Sequence, residues 1–222
     1  MSQIFSVPRG TADILPDSIP LWQAIERQAR QRLHLHGYRE IRTPIFEETA
    51  LFARSIGQTS DVVQKQMLNL AAQARDPEEA PRLSGLSLRP EGTAAVVRAY
   101  IEHSLHKRET LSKLFYVSPM FRGERPQKGR LRQFHQLGVE AIGQQSASPY
   151  LDAETLALSV EILKDFGLKD FELKINTLGS REDKDNFSKT LRRQINPFLA
   201  DLCQDCRQRF DRNVFRTLDC KQ

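Results

Sequence analysis

Long apolar runs are missing from this chain, and no segment approaches the roughly 18 residues needed to cross a bilayer. The opening stretch, MSQIFSVPRGTADILP, puts proline, arginine and aspartate where a secretory leader needs an unbroken apolar core. Cysteine is scarce too. Three residues, an odd number crowded toward the carboxyl-terminal end, do not make a disulfide framework, and a reducing compartment is the simplest setting. No low-complexity block gathers the polar residues, which argues against wholesale disorder. These absences lead to the expectation of a soluble, cytoplasmic protein with no membrane partner.

What is present suits one large domain or two small ones: 222 residues, 39% hydrophobic, enough for a core. The 33 basic residues against 28 acidic ones, net +5, permit a polyanionic partner without demanding one. A first helix is signalled by Asp17 and Ser18 as caps, Pro20 in the first turn, and Leu21, Trp22, Ile25, Ala29 and Leu33 at helical spacing before Gly37. Tyr38 to Arg42 reads as a strand stopped at Thr43-Pro44, and Glu48 to Ser55 as a short helix. Residues 71–82, with two prolines and no apolar periodicity, read as an exposed loop, and Leu86 to Arg89 as a strand. Thr93 is expected to cap a helix to Leu105 with Val96, Val97, Tyr100 and Ile101 inward. Asp152 is expected to cap another to Phe166, with Leu156, Val160 and Leu163 on its buried stripe. Phe171, Leu173 and Ile175 alternate with polar residues as a further strand would, and the chain from Ser180 reads as polar helix.

The chemistry concentrates in a long hairpin, Lys113 to Arg122 and Arg132 to Gly143. Period-two alternation puts Leu137, Val139 and Ala141 on one face of its second strand, an ordinary buried face. The other face carries Arg132, Phe134, Gln136, Gly138 and Glu140: a ring, an amide and a carboxylate in line, with a glycine gap. A solvated face is the bland reading; glycine inside a strand argues for close approach of a ligand. Between the strands, Arg122, Arg125, Lys128, Arg130 and Arg132 face a single acid, Glu124. Such a loop is either a basic surface turn or a polyphosphate cradle, since planar guanidinium donors match phosphate oxygens.

The run FYVSPMFRGERPQKGRLRQFHQLGVEAIG closely resembles motif 2 of class II aminoacyl-tRNA synthetases, specifically of the histidyl-tRNA synthetase family. PRGTADILP, GYREIRTPIFE (like motif 1), SIGQTSDVVQK, LRPEGTAAVVRAY and DAETLALSVEILKDFG before LKINTLGS agree in order. The resemblance implies an α+β fold, an antiparallel sheet flanked by helices, and a homodimer formed through motif 1. It implies ATP-dependent activation of histidine and transfer to tRNA(His), with Mg2+ accompanying ATP. By the same likeness Arg122 holds the α-phosphate and the substrate carboxylate, Glu124 lies near adenine and the tRNA acceptor end, Arg130 reaches the terminal phosphates, and Phe134 stacks on adenine. Glu91, Thr93 and Gln136 grip the amino group of histidine, and Glu140 reads its imidazole. Gly123 and Leu131 depart from the family's usual larger and aromatic residues.

Motif 3, a glycine-rich strand leading to an arginine-bearing helix, has no counterpart after Gly143, where only Gly167 and Gly179 remain. The expectation is an amino-terminal catalytic portion, core over 1–180 and the start of a helical insertion over 181–222, with little activity alone. A non-catalytic regulatory relative, or a fragment serving only binding or dimerisation, is the rival. Cys203-x-x-Cys206 and Cys220 lack a fourth ligand nearby in sequence, so thiols without metal are expected. His135, on the apolar side of its strand, is expected to pack and not to catalyse.

Overall fold

The computed structural model describes residues 5–57, 60, 62–72, 83–177 and 179–220. They form two compact units, Met1–Asp170 and Phe171–Gln222. Among the described residues no helix is long and apolar enough to cross a membrane.

In the first unit the helical spacing is realised as α1, Ile19–Leu35, with Ala29 and Leu33 buried. Gly37, at φ +78°, turns the chain back so that the Tyr38 N–H reaches the Leu33 carbonyl at 3.0 Å. The following strand is short, β1 (Arg39–Glu40), and β2 (Phe46–Glu48) leads into α2 (Thr49–Ile56). A π-helical turn, Val62–Gln66, precedes β3 (Leu68–Ala71). Of the loop expected over 71–82, Ala71 closes β3 and residues 73–82 lie outside the described residues. Then come β4 (Leu83–Leu88), α3 (Thr93–Glu102), the hairpin strands β5 (Leu111–Phe121) and β6 (Gln133–Gly143), and α4 (Pro149–Asp165).

Two three-stranded sheets result. One has the order β1-β5-β6, with β1 parallel and β6 antiparallel to central β5; the other is antiparallel, in the order β2-β4-β3. Helices lie against the first sheet. On one face Phe115 is sealed with Leu33, Tyr38, Leu158 and Ile162 of α1, its following turn and α4. Each such burial is worth about 1.5–3 kcal/mol. Arg32 clamps α1 to α4 by donating to both Asp165 oxygens at 2.8 and 2.9 Å. On the other face Val96 of α3 meets Leu114, Tyr116 and Met120.

Several expectations need correction. The buried stripe of α4 is Leu151, Leu158 and Ile162, because the turn sets its phase one residue away from Leu156, Val160 and Leu163. Ser148 occupies the N-cap position of that helix in place of Asp152, and Gly92 that of α3 in place of Thr93. Helix α3 stops at Glu102, and Ile101 points outward, 63% exposed, while Ala94, Ala95 and Ala99 supply the close-packed face. Phe171, Leu173 and Ile175 pair with no strand among the described residues and remain exposed. Alternation alone cannot hold a strand whose backbone groups lack a neighbour.

The second unit is helical: α5 (Arg181–Ile195), a 3₁₀ segment Asn196–Asp201, α6 (Gln204–Arg212) and a 3₁₀ turn Val214–Thr217. Ser180 and Asp183 form a reciprocal capping box that starts α5.

Candidate active site

Register in the hairpin decides which side chains share a face. Glu140 lies opposite Leu114, Gly138 opposite Tyr116, Gln136 opposite Ser118 and Phe134 opposite Met120. Phe134, Gln136, Gly138 and Glu140 therefore stand on the sheet face covered by α3, and all are partly buried. The opposite face is less closed than expected. Val139 packs on the Phe115 cluster, but Leu137 is 37% exposed, since β6 is an edge strand with helices over only part of its length. His135 sets its ring edge-on to Trp22, centroids 4.8 Å apart.

At the open end of the hairpin, Arg122, Glu124, Arg130 and Phe134 line one cleft of about 590 Å³, with Val62 and Gln66 among its other walls. The Arg122 guanidinium lies 5.0 Å from the Phe134 ring centroid, and its Nε donates to the Pro90 carbonyl at 3.0 Å. Arg122 is thus oriented from two sides while it lines the cleft. Arg130 is more exposed and stands 3.8 Å from the Glu124 carboxylate, a weak pairing that a polyanion could displace. The loop is tied down by backbone bonds. The Gly123 N–H reaches Gln66 O at 2.7 Å, and a Cβ at Gly123 would come 3.1 Å from Leu68, which accounts for a small residue there. Arg132, expected in the cationic cluster, serves the scaffold: its Nε donates to Glu124 O at 3.3 Å and its backbone N–H to Gly10 O at 2.7 Å.

At the closed end, Glu91, Thr93 and Glu140 are directly linked. Glu91 accepts from the Thr93 N–H at 2.6 Å and the Ala94 N–H at 3.1 Å, so its carboxylate caps α3. The Thr93 hydroxyl donates to Glu140 at 2.6 Å. Burial holds the Glu140 carboxyl above the usual carboxylate range; the bond from Thr93 opposes this and the Glu91 charge adds to it. A carboxylate held in that state gains from a cationic or N–H-bearing guest.

Two residues that carry this geometry were not legible as such. Tyr116 fills the gap at Gly138: a Cβ on Gly138 would lie 2.3 Å from its ring, and one on Gly92 also 2.3 Å. The glycine in β6 thus admits the cross-strand tyrosine and not a ligand, contrary to expectation. Only the register, an aromatic directly opposite a glycine, could have revealed it. Burial first, and then the Glu140 charge, raises the Tyr116 phenol above its ordinary value. Arg89 is 3% exposed and donates to the carbonyls of Pro119 (3.0 Å), Thr43 (2.9 Å) and Pro44 (3.2 Å). Its burial lowers the guanidinium pKa from the usual range. This clamp fixes Pro90, whose carbonyl aims Arg122.

In the second unit the three cysteines come together, their Sγ atoms all within 4.8 Å of one another, with no disulfide among them. The Cys206 thiol is pushed up to about 11, first by its hydrogen bond with Cys220 and then by burial.

Comparison with known proteins agrees with the geometry. The family model for histidyl-tRNA synthetase matches residues 10–182. A histidine–tRNA ligase of Moorella thermoacetica is 50% identical over 216 residues, 97% of this chain and 49% of the relative. Among solved structures, apo histidyl-tRNA synthetase of S. aureus superposes with a TM-score of 0.69 at 38% identity, covering 96% of this chain and 48% of that one. A protein of Bacillus halodurans described as an ATP phosphoribosyltransferase regulatory subunit/histidyl-tRNA synthetase follows, with a TM-score of 0.64, 26% identity, and coverage of 91% and 52%. The chain spans about half the length of the curated relatives it matches. With an α+β fold like that of the solved relatives and a family model running over residues 10–182, this chain belongs to the histidyl-tRNA synthetase family.

Proposed function

We propose that the chain carries the ATP- and histidine-binding part of a histidine–tRNA ligase, which joins histidine to AMP and passes it to tRNA(His). The observation that carries this reading is the placement of Arg122 against Phe134, at the mouth of a cleft whose sheet face continues through Gln136 to Glu140. ATP enters as its Mg2+ complex, with adenine on Phe134, Glu124 near the adenine and the acceptor end of tRNA, and Arg130 at the terminal phosphates. Glu91, Thr93 and Gln136 take the ammonium of histidine, and Glu140 accepts from its imidazole. Glu91 can do so without leaving α3, since a carboxylate has lone pairs beyond the two that cap the helix.

In the reaction a histidine carboxylate oxygen bonds to the α-phosphorus, the bond to the β-phosphate oxygen breaks, and pyrophosphate leaves. Negative charge gathers on the equatorial oxygens, where a guanidinium fixed in advance stabilises the transition state more than the ground state. Arg122 is fixed in this way by Pro90 and Phe134. Domain limits of 1–180 for the core and 181–222 for a helical insertion, a cytoplasmic location, and a homodimer through the motif 1 segment belong to the same reading.

Calorimetric titration of the chain with Mg-ATP and with histidine tests it. Saturable binding of both is expected, with ATP affinity in Arg122→Ala falling at least about tenfold. In a ligase containing this chain the same change should lower histidine-dependent ATP–pyrophosphate exchange about 10²–10³-fold without altering the melting curve. Full exchange in that variant removes Arg122 from the mechanism. The regulatory-subunit reading, favoured by the likeness to the Bacillus halodurans protein, predicts that exchange is absent from the unaltered enzyme.

A further inference from the structure

We propose that Cys203, Cys206 and Cys220 form a three-thiolate zinc site that staples the carboxyl-terminal unit. Their Sγ atoms lie within 4.8 Å of one another, and those of Cys203 and Cys220 are 3.9 Å apart. Sulfur ligands on a tetrahedral zinc, with Zn–S about 2.3 Å, stand about 3.8 Å apart. Drawing in the widest pair therefore takes about 1 Å. Soft thiolates select zinc over the oxygen-seeking cations, and water completes the fourth position. Each thiol that binds gives its proton to solvent.

The scaffold around the sulfurs is already ordered. Cys203 is the N-cap of α6 and Cys206 lies in its first turn, so the C-x-x-C pair straddles a helix start. Arg207 donates to Ala200 O and Leu202 O, both at 2.8 Å, and so fixes the chain entering Cys203. On the other segment, Asn213 accepts from the Phe215 N–H at 3.2 Å and the Thr217 hydroxyl donates to Val214 O at 2.6 Å; Cys220 follows that turn. A second observation concerns the core. Among the described residues of this unit only Cys206, Phe210 and Val214 are buried hydrophobics, while Phe187, Phe198 and Leu218 are exposed. Units with so small a core commonly use a metal or disulfides. A Cys203–Cys220 disulfide would leave buried Cys206 out of the staple, whereas zinc uses all three.

Zinc content of the chain, measured by elemental analysis after zinc loading and desalting, is expected to be about one ion per chain. Cobalt in place of zinc should give the intense thiolate-to-cobalt charge-transfer absorption and tetrahedral visible bands. Competition with a chromogenic chelator should show zinc affinity at least about 100-fold weaker in Cys206→Ser. Because Cys206 is buried and its loss could unfold the unit, Cys220→Ser, at a half-buried position, serves as the second variant with the same expected loss. Zinc well below stoichiometry, a cobalt spectrum without charge transfer, or unchanged affinity in Cys220→Ser overturns the proposal. So does a Cys203–Cys220 disulfide that forms in air as fast with zinc as without it.

Discussion

On one face of the β1-β5-β6 sheet, Phe115 is enclosed by Leu33, Tyr38, Leu158 and Ile162, with the His34 ring edge-on to it at 5.3 Å. On the other face the same strand presents Tyr116, wedged between two glycines beside Glu140 and Thr93, with Phe134 and Gln136 further along β6. The first face gains its stability chiefly from buried volume and area, with the Arg32–Asp165 pair at its edge. The second gives up part of that to keep a carboxylate half-buried and an arginine aimed into a cleft. One hairpin serves both because adjacent residues in a strand point to opposite sides.

The comparison can be broken at the apolar face first. Phe115→Ala is expected to cost about 3–5 kcal/mol, read from denaturant unfolding, while ATP affinity of the molecules still folded stays unchanged. A large loss of affinity at full folding would show that the two faces are not separable. Next in size is Gly138→Ala. Its methyl would sit 2.3 Å from the Tyr116 ring, which Gly92 stops from retreating, and about 1–3 kcal/mol should be lost. In a Tyr116→Ala background the same substitution should cost almost nothing; an undiminished penalty there would mean that Gly138 matters for some other contact.

The smallest effect sharpens the comparison through pH. Glu140 has a folded-state pKa above its unfolded value, so the folded state holds its proton more tightly. The stability this gives is fully present below the unfolded pKa and is lost as pH rises through the folded one. Melting temperatures measured from about pH 4 to pH 7 should therefore fall for the unaltered chain relative to Glu140→Gln. Histidine affinity should move the other way, dropping about 10–100-fold in the variant near neutral pH. Parallel pH curves would place the Glu140 carboxyl in solvent.

Strand alternation put Phe134, Gln136, Gly138 and Glu140 on one face of β6, as the register has them, because a period of two needs no knowledge of partners. Phase around α4 was missed by one position, since Leu156, Val160 and Leu163 and the true stripe through Leu158 and Ile162 are both apolar at helical spacing. The strand expected over 171–175 failed for a related reason: hydrogen-bond partners are a property of the fold and not of the segment.

Local pattern by itself determined the hairpin, the basic loop and the helix starts near Pro20 and at Ser180, which follow from backbone geometry within a few residues; the family likeness came from motif order along the chain. Tertiary structure alone decided that Tyr116 fills the Gly138 gap, that Arg89 is buried among the carbonyls of Thr43, Pro44 and Pro119, and that Cys220 joins Cys203 and Cys206. Each is a contact between separate segments, set by how the packed elements bring their backbones together, and neither spacing nor composition encodes that distance.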